Sequence, residues 1–425
     1  MVQSSCFAVL SASLPPSPSG QALVLDKLLR GFPIESYCLL STEWHPPRPD
    51  SARYYYLKSH NTALFSVERS LAASVSSRQT SAYQPLFRGL RRVYRLGKRL
   101  VNSALSSSAS RLIEDRAQQI LEAIKHENCA LIVGCSGEPY DLPAAHRASQ
   151  LSGIPFVAFV MDYYGHSQAG PQGQLARRLE PAVITDAQAV LVLNEYMAQT
   201  YAREYNVSST IIRTPCVMPE PLPPARHTSL FPHNTINIVY TGAIYSAHYD
   251  SFRRLIAAIR ALKRNDVKLH IFTSNPPAVL ALEGISEPDV TFHEYLPPKE
   301  IIRVQQQADI LFLPLAFQSE VPKLIATSSP SKTADYLSSG KAVLVHAPPD
   351  SFLSWYFRQH DCGAVVDRED VGQMTETLRR LIDDVAWREQ LGQAAYARAL
   401  ADFDLAVVGP RFVHALETAA GVRFT

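Results

Sequence analysis

The chain has 425 residues, of which 46% are hydrophobic and 19% charged, enough apolar material for more than one core, so two domains are expected. A formal net charge of only +2 supplies no global field to draw in nucleic acid, which is excluded as a partner. The six cysteines, at 6, 38, 129, 135, 216 and 362, form no CxxC pair and no regular framework, which argues for a reducing compartment and against structural zinc.

The first apolar run, CFAVL at Cys6–Leu10, has no basic segment before it and the length of a strand rather than a membrane span; a cytoplasmic protein without a transmembrane helix is expected. Next comes SASLPPSPSGQALVLDKLLRGF, where Pro and Ser punctuate a loop before a helix starting near Ser19. Leu23, Leu28 and Leu29 give that helix an apolar face and Gly31 stops it. From Leu86 to Val101, six basic residues (Arg88, Arg91, Arg92, Arg95, Lys98 and Arg99) interleave with apolar ones. Such a basic amphipathic helix suits peripheral contact with anionic lipid headgroups, and it equally suits a surface helix packed on its own domain. CALIVGCSGEPYD, GIPFVAFVMDYYGH and AQAVLVLNEYMAQTYAREY then repeat an apolar strand followed by a turn or helix. This alternation predicts a parallel sheet, whose ligands bind beyond the strand carboxyl ends. Cys135, at one such end, reads as a small buried filler rather than a nucleophile. Prolines at 215, 219, 221, 223, 224 and 232 mark a stiff linker.

The second half opens with INIVYTGAIYSAHYDSFRRLIAAI, a strand, a turn at Gly242 and a helix. KLHIFTSNP, VTFHEYLPPKEIIRVQQQADILFLPL and CGAVVDREDVGQMTETLRRLI continue the pattern. Between the last two stands the most informative stretch, SPSKTADYLSSGKAVLVHAP, Ser329 to Pro348. Pro330 suits a first helical turn, Ser329 or Ser331 can cap the free amides, and Lys332 adds positive charge where the helix dipole already favours an anion. Asp335 follows one turn later, able to accept hydrogen bonds from ribose hydroxyls. Gly340 closes the helix, and Ala342 to His346 reads as a core strand.

These pieces, in this order, resemble the retaining, two-domain glycosyltransferases of family 4, the group 1 type with the GT-B fold. The likeness covers residues 236 to 400 and, more weakly, the first half. It implies two Rossmann-like, doubly wound α/β domains with parallel sheets facing across a cleft: an acceptor-side domain at 1–217, a linker at 218–235, a nucleotide-sugar domain at 236–404 and a last helix at 405–425 crossing back. It implies transfer of a hexosyl unit from a nucleoside diphosphate sugar to a glycan or lipid-linked acceptor, with retention and without a metal or other cofactor. Lys332 would neutralise the departing diphosphate, supported by the amides around Ser331 and Thr333. Gly242, and Gly20 in the first domain, would let backbone approach the phosphates, although each glycine reads equally as a tight turn. Asp335 stands where the family has the second glutamate of its paired-glutamate motif and would bind ribose. Ser274 and Tyr295 would flank the base, and Lys323 would reach phosphate or sugar or else remain solvated. Asp162 would orient or deprotonate the acceptor hydroxyl or else cap its turn, with His166 and Glu138 as alternatives.

Two departures bear on activity. Thr327 replaces the glutamate eight residues before Asp335, and the Arg and Lys that commonly follow the glycine turn are absent from Gly242–His248. A nucleotide-sugar epimerase or a non-catalytic scaffold therefore stands beside the transferase reading, whereas a phosphorylase is weakened by the lack of a pyridoxal-lysine signature. Asp402-Phe403-Asp404 is a DxD without a preceding buried strand, and no metal is expected there.

Overall fold

The computed structural model describes residues 5–17, 19–43, 53–58, 108–167, 170–219, 230–232, 234–288 and 290–424. The basic segment 86–101 and the middle of the proline-rich linker lie outside the described residues. The chain divides into two compact units, one of Met1–Leu23, Phe32–Leu191 and Ala415–Thr425, the other of Val24–Gly31 and Val192–His414.

In the first unit, β1 (Cys6–Leu10) is buried at every position, the pattern of a central parallel strand covered on both faces. β2 (Tyr37–Ser41) and β4 (Cys129–Cys135) pair with it in parallel on either side. With β3 (Arg53–Tyr56), β5 (Phe156–Val160), β6 (Ala189–Val192) and β7 (Ser209–Ile211), the sheet runs β3-β2-β1-β4-β5-β6-β7. The chain direction across the sheet therefore reverses between β1 and β4. Near the carboxyl terminus, Phe424 returns to this unit, its ring 4.8 Å from Phe7.

The second unit repeats the plan with β8 (Ile236–Thr241), β9 (Val267–Phe272), β10 (Val290–His293), β11 (Ile310–Pro314), β12 (Ala342–His346) and β13 (Ala364–Val366), in the order β10-β9-β8-β11-β12-β13. All strand pairs are parallel. Side chains alternate along β8: Ile238 and Tyr240 enter one core with Phe252, Leu255 and Leu378, while Val239 enters the other with Leu313, Val345 and Leu337. Each large side chain buried this way contributes about 1.5–3 kcal/mol, so the two cores hold the switch between β8 and β11 rigid. That switch is where a doubly wound sheet opens a crevice beyond its strand ends. Among the described residues, no helix is long and apolar enough to cross a membrane.

Candidate active site

At the carboxyl end of β8, Gly242 takes φ +115°, which an L side chain rarely adopts, and its N–H donates to the Phe272 carbonyl of β9 at 2.8 Å. The loop beyond it is pinned from the next strand: Asn275 Oδ1 accepts from Ile244 N and from Thr273 Oγ1, both at 2.8 Å. From inside the loop, Tyr240 OH donates to the Ala243 carbonyl at 2.7 Å. Lys332, the first residue of the helix Lys332–Ser338, crosses to this corner and donates from Nζ to Tyr240 OH at 3.1 Å. Its ammonium also lies 4.8 Å from the Tyr240 ring centroid. A Cβ on Gly242 would meet only Lys332, 3.5 Å from Cε and 3.7 Å from Nζ, so the glycine leaves the ammonium's flank open.

The helix carrying Lys332 is fixed by Ala334, Tyr336 and Leu337, all fully buried. Tyr336 OH accepts the Thr241 N–H at 2.9 Å, which satisfies the last backbone donor of β8 and clamps helix to strand. The charge balance of the corner is unusual. Burial lowers the Lys332 pKa from 10.5 to about 8, with Asp335 partly opposing it. Burial and, secondarily, the Lys332 charge hold buried His248 well below its ordinary value, so this imidazole, 3.4 Å from Tyr240 OH, is neutral. Lys332 makes no ion pair among the described residues. The corner thus presents a half-buried cation whose remaining N–H groups are available to an anion.

Asp335, one turn on, has a partner: Lys27 Nζ lies 3.5 Å from its Oδ1 and donates to the Pro215 carbonyl at 2.9 Å. The helix start differs from the sequence expectation. It has only seven residues, neither Ser329 nor half-buried Ser331 caps it through a side chain, and the Thr333 N–H is engaged by the Pro330 carbonyl at 2.9 Å. Thr333 Oγ1 is buried without a partner. Three consecutive turn-forming residues before Lys332 let the backbone close on itself, so of the anion donors expected here the lysine remains and the Thr333 amide does not. Lys323 pairs with Glu204 at 2.8 Å and is a surface ion pair. Thr327 is buried, donating to the Lys323 carbonyl and accepting Asn194 Nδ2 at 2.8 Å on its own carbonyl, so it offers no substitute for a carboxylate. Ser274 and Tyr295 are exposed just beyond β9 and β10, on the same edge of the sheet as Gly242.

In the first unit, Gly20 is the exposed first residue of the helix Gly20–Leu29 that follows β1. Asp162 follows β5, and its N–H is accepted by Ser136 Oγ at 3.0 Å, a hydroxyl that also takes the Met161 N–H and so joins the ends of β4 and β5. Asp162 is exposed, yet surrounding protein disfavours its charged form and raises its pKa. His166 stacks on Tyr163. Glu138 is paired with Arg116 and accepts the Tyr140 N–H at 3.0 Å. Asp402 accepts from Tyr356 OH at 2.6 Å and from Arg398, and Phe403 is buried; the DxD is part of the core's edge. Sequence reasoning did not single out Tyr240, Tyr336, Asn275 or Lys27. The two tyrosines carry a faint signal, polar-tipped aromatics one residue from a strand end and one turn into the key helix.

Residues 235–384 match the family model described as "Glycosyl transferases group 1", and residues 72–215 match that of the "Glycosyl transferase 4-like domain". No curated protein matches the chain significantly. Among solved structures, the chain is similar to sucrose-phosphate synthase from Thermosynechococcus elongatus, at 14% identity and TM-score 0.62 over 96% of this chain and 97% of that one. It is also similar to WaaG, a glycosyltransferase involved in lipopolysaccharide biosynthesis (13%, TM-score 0.63, 98% and 100%), and to Anabaena HepE in complex with UDP-glucose (12%, TM-score 0.61, 97% and 99%). At such identities the likeness is one of fold, and the fold is GT-B; with both halves matched by family models, the chain belongs to the group 1 glycosyltransferases.

Proposed function

We propose that the protein moves a hexosyl unit from a nucleoside diphosphate sugar to a glycan or lipid-linked acceptor, with retention and without a metal. The observation that carries this reading is Lys332: a desolvated ammonium with no carboxylate in contact, beside a glycine whose φ of +115° an L side chain rarely adopts, at the switch point of a doubly wound sheet. As the glycosidic bond breaks, negative charge grows on the leaving diphosphate. An ammonium already held on Tyr240 OH stabilises that charge without reorganising. Asp335 would accept from ribose hydroxyls, exchanging its Lys27 contact for them, while Ser274 and Tyr295 would border the base. Asp162, with its raised pKa, is suited to orient or accept the proton of an acceptor hydroxyl.

A second reading, a non-catalytic scaffold, is favoured by Thr327 and by the Lys27–Asp335 pair. Calorimetric titration with UDP, GDP and TDP separates the two, since a transferase site must bind one of them and a scaffold need bind none. Mass-spectrometric screening against a sugar-nucleotide panel then identifies the donor. An isomerised donor with no nucleotide released would instead mark an epimerase.

A further inference from the structure

The fold gathers three of the six cysteines at the opposite edge of the first sheet from the loops discussed above. Cys6 opens β1, Cys129 opens β4 and Cys38 is the second residue of β2. The strand order β2-β1-β4 sets them side by side, with Cys6 in register with Cys129 and Cys38 with Ala8. The small Ala8 lets the outer two thiols approach across the central strand. All three Sγ atoms lie within 4.8 Å of one another, and Cys38 and Cys129 come to 3.8 Å. All are buried, none is in a disulfide, and Arg53 Nη2 lies 3.5 Å from Cys6 Sγ.

Two ordinary explanations fit less well. Filler thiols need not converge, whereas three ligands at about 2.3 Å from a common ion stand about 4 Å apart in a plane, close to the spacing seen here. A disulfide between the closest pair would have to bridge two strand spacings of about 4.8 Å each, beyond the roughly 7 Å that a disulfide tolerates between Cα atoms. We propose that Cys6, Cys38 and Cys129 form a three-sulfur site for one soft, thiophilic metal ion. Soft thiolates select Cu(I), while Zn(II) prefers a fourth ligand, and among the described residues no His, Asp or Glu joins this set. Binding displaces protons from the thiols, and the guanidinium of Arg53 offsets part of the negative charge left on the sulfurs. An ion held here would join the amino ends of three adjacent strands and stabilise the unit in proportion to its occupancy.

The test uses the full chain, reduced without thiols and kept anaerobic, titrated with Cu(I) against a competing chelator of known affinity. One ion per chain, a rise in melting temperature on loading, at least 100-fold weaker binding by Cys38→Ser and unchanged binding by Cys362→Ser are expected. X-ray absorption of the loaded wild-type protein should find three sulfur neighbours, a measurement that stands even where the variant does not fold. No uptake by the reduced protein, equal affinity in Cys38→Ser, fewer than three sulfurs around the ion, or a Cys6–Cys129 disulfide in place of metal would overturn the proposal.

Discussion

Replacing Lys332 with methionine separates the site reading from a structural one, because the two predict opposite signs. Holding the ammonium at a pKa of about 8 instead of 10.5 corresponds to about 3 kcal/mol of unfavourable free energy at roughly 1.4 kcal/mol per tenfold, an upper limit for a side chain only half-buried. Methionine keeps the length and the packing on Tyr240 and removes the charge, so Lys332→Met should be as stable as wild type or more stable by up to that amount at pH 7. The sign follows from linkage: between about pH 8 and 10.5 the unfolded chain binds the proton that the folded chain has released. Wild-type stability should therefore rise relative to the variant across that window, and the full penalty should be present below it. Nucleotide binding should move the other way. Losing a charge-assisted hydrogen bond costs about 1.5–3 kcal/mol, which is about 10- to 100-fold in Kd for whichever of UDP, GDP or TDP binds. Wild-type affinity should itself fall about tenfold per pH unit above pH 8 as the ammonium empties. Urea melts and calorimetry at pH 7 and 9.5 measure both; a variant that loses stability yet keeps its nucleotide affinity would refute the reasoning.

Gly242→Ala forces an L residue to φ +115° and sets a methyl 3.5 Å from Lys332 Cε, so urea melts should show a loss of about 1–3 kcal/mol accompanied by weaker nucleotide binding. Tyr336→Phe strands the Thr241 N–H and should destabilise by about 1–3 kcal/mol in the same assay. Asp162→Asn should lower kcat about 100-fold or more with donor KM nearly unchanged if the carboxylate handles the acceptor proton; unchanged kcat would leave it a turn residue. Glu at positions 91, 92 and 95 in place of arginine should abolish sedimentation with anionic liposomes if residues 86–101 contact membrane, and unchanged sedimentation would assign them to their own domain.

What the sequence made legible were features written in local pattern. CFAVL and AVLVH are continuous apolar runs bounded by turn residues, and they became β1 and β12 over the predicted residues, because a strand buried on both faces needs no partner to declare itself. The turn at Gly242 and the stop at Gly340, φ +71°, were legible for the same reason. The short strand Arg53–Tyr56, half exposed at the sheet edge, and the short helices Pro277–Leu282 and Pro322–Thr327 carry too few residues for any period to appear. The site was legible in its lysine and glycine but not in its supports. Tyr240 and Tyr336 look like core aromatics until the fold brings one to the ammonium and the other to the end of β8. The cysteine trio is the extreme case: residues 6, 38 and 129 have no motif spacing, and only the order β2-β1-β4 makes them neighbours.

The same physics gives the missing cations a consequence for the lysine that remains. Enzymes resembling this one commonly place Arg and Lys on the loop after the glycine turn, where this chain has Ala243 to His248. A second cation there would stand beside Lys332, and like charges in a desolvated corner would drive its pKa still lower. Here the loop offers only His248, which burial keeps neutral, and Asp335 partly opposes the lowering by burial, so Lys332 is still mostly protonated near pH 7. The absence of two further cations thus lets Lys332 keep its charge without a carboxylate in direct contact. On the proposed reading, a diphosphate would have one strong partner on this wall rather than three that share it, so a single substitution at Lys332 should weaken nucleotide binding about 10- to 100-fold while the fold stays intact.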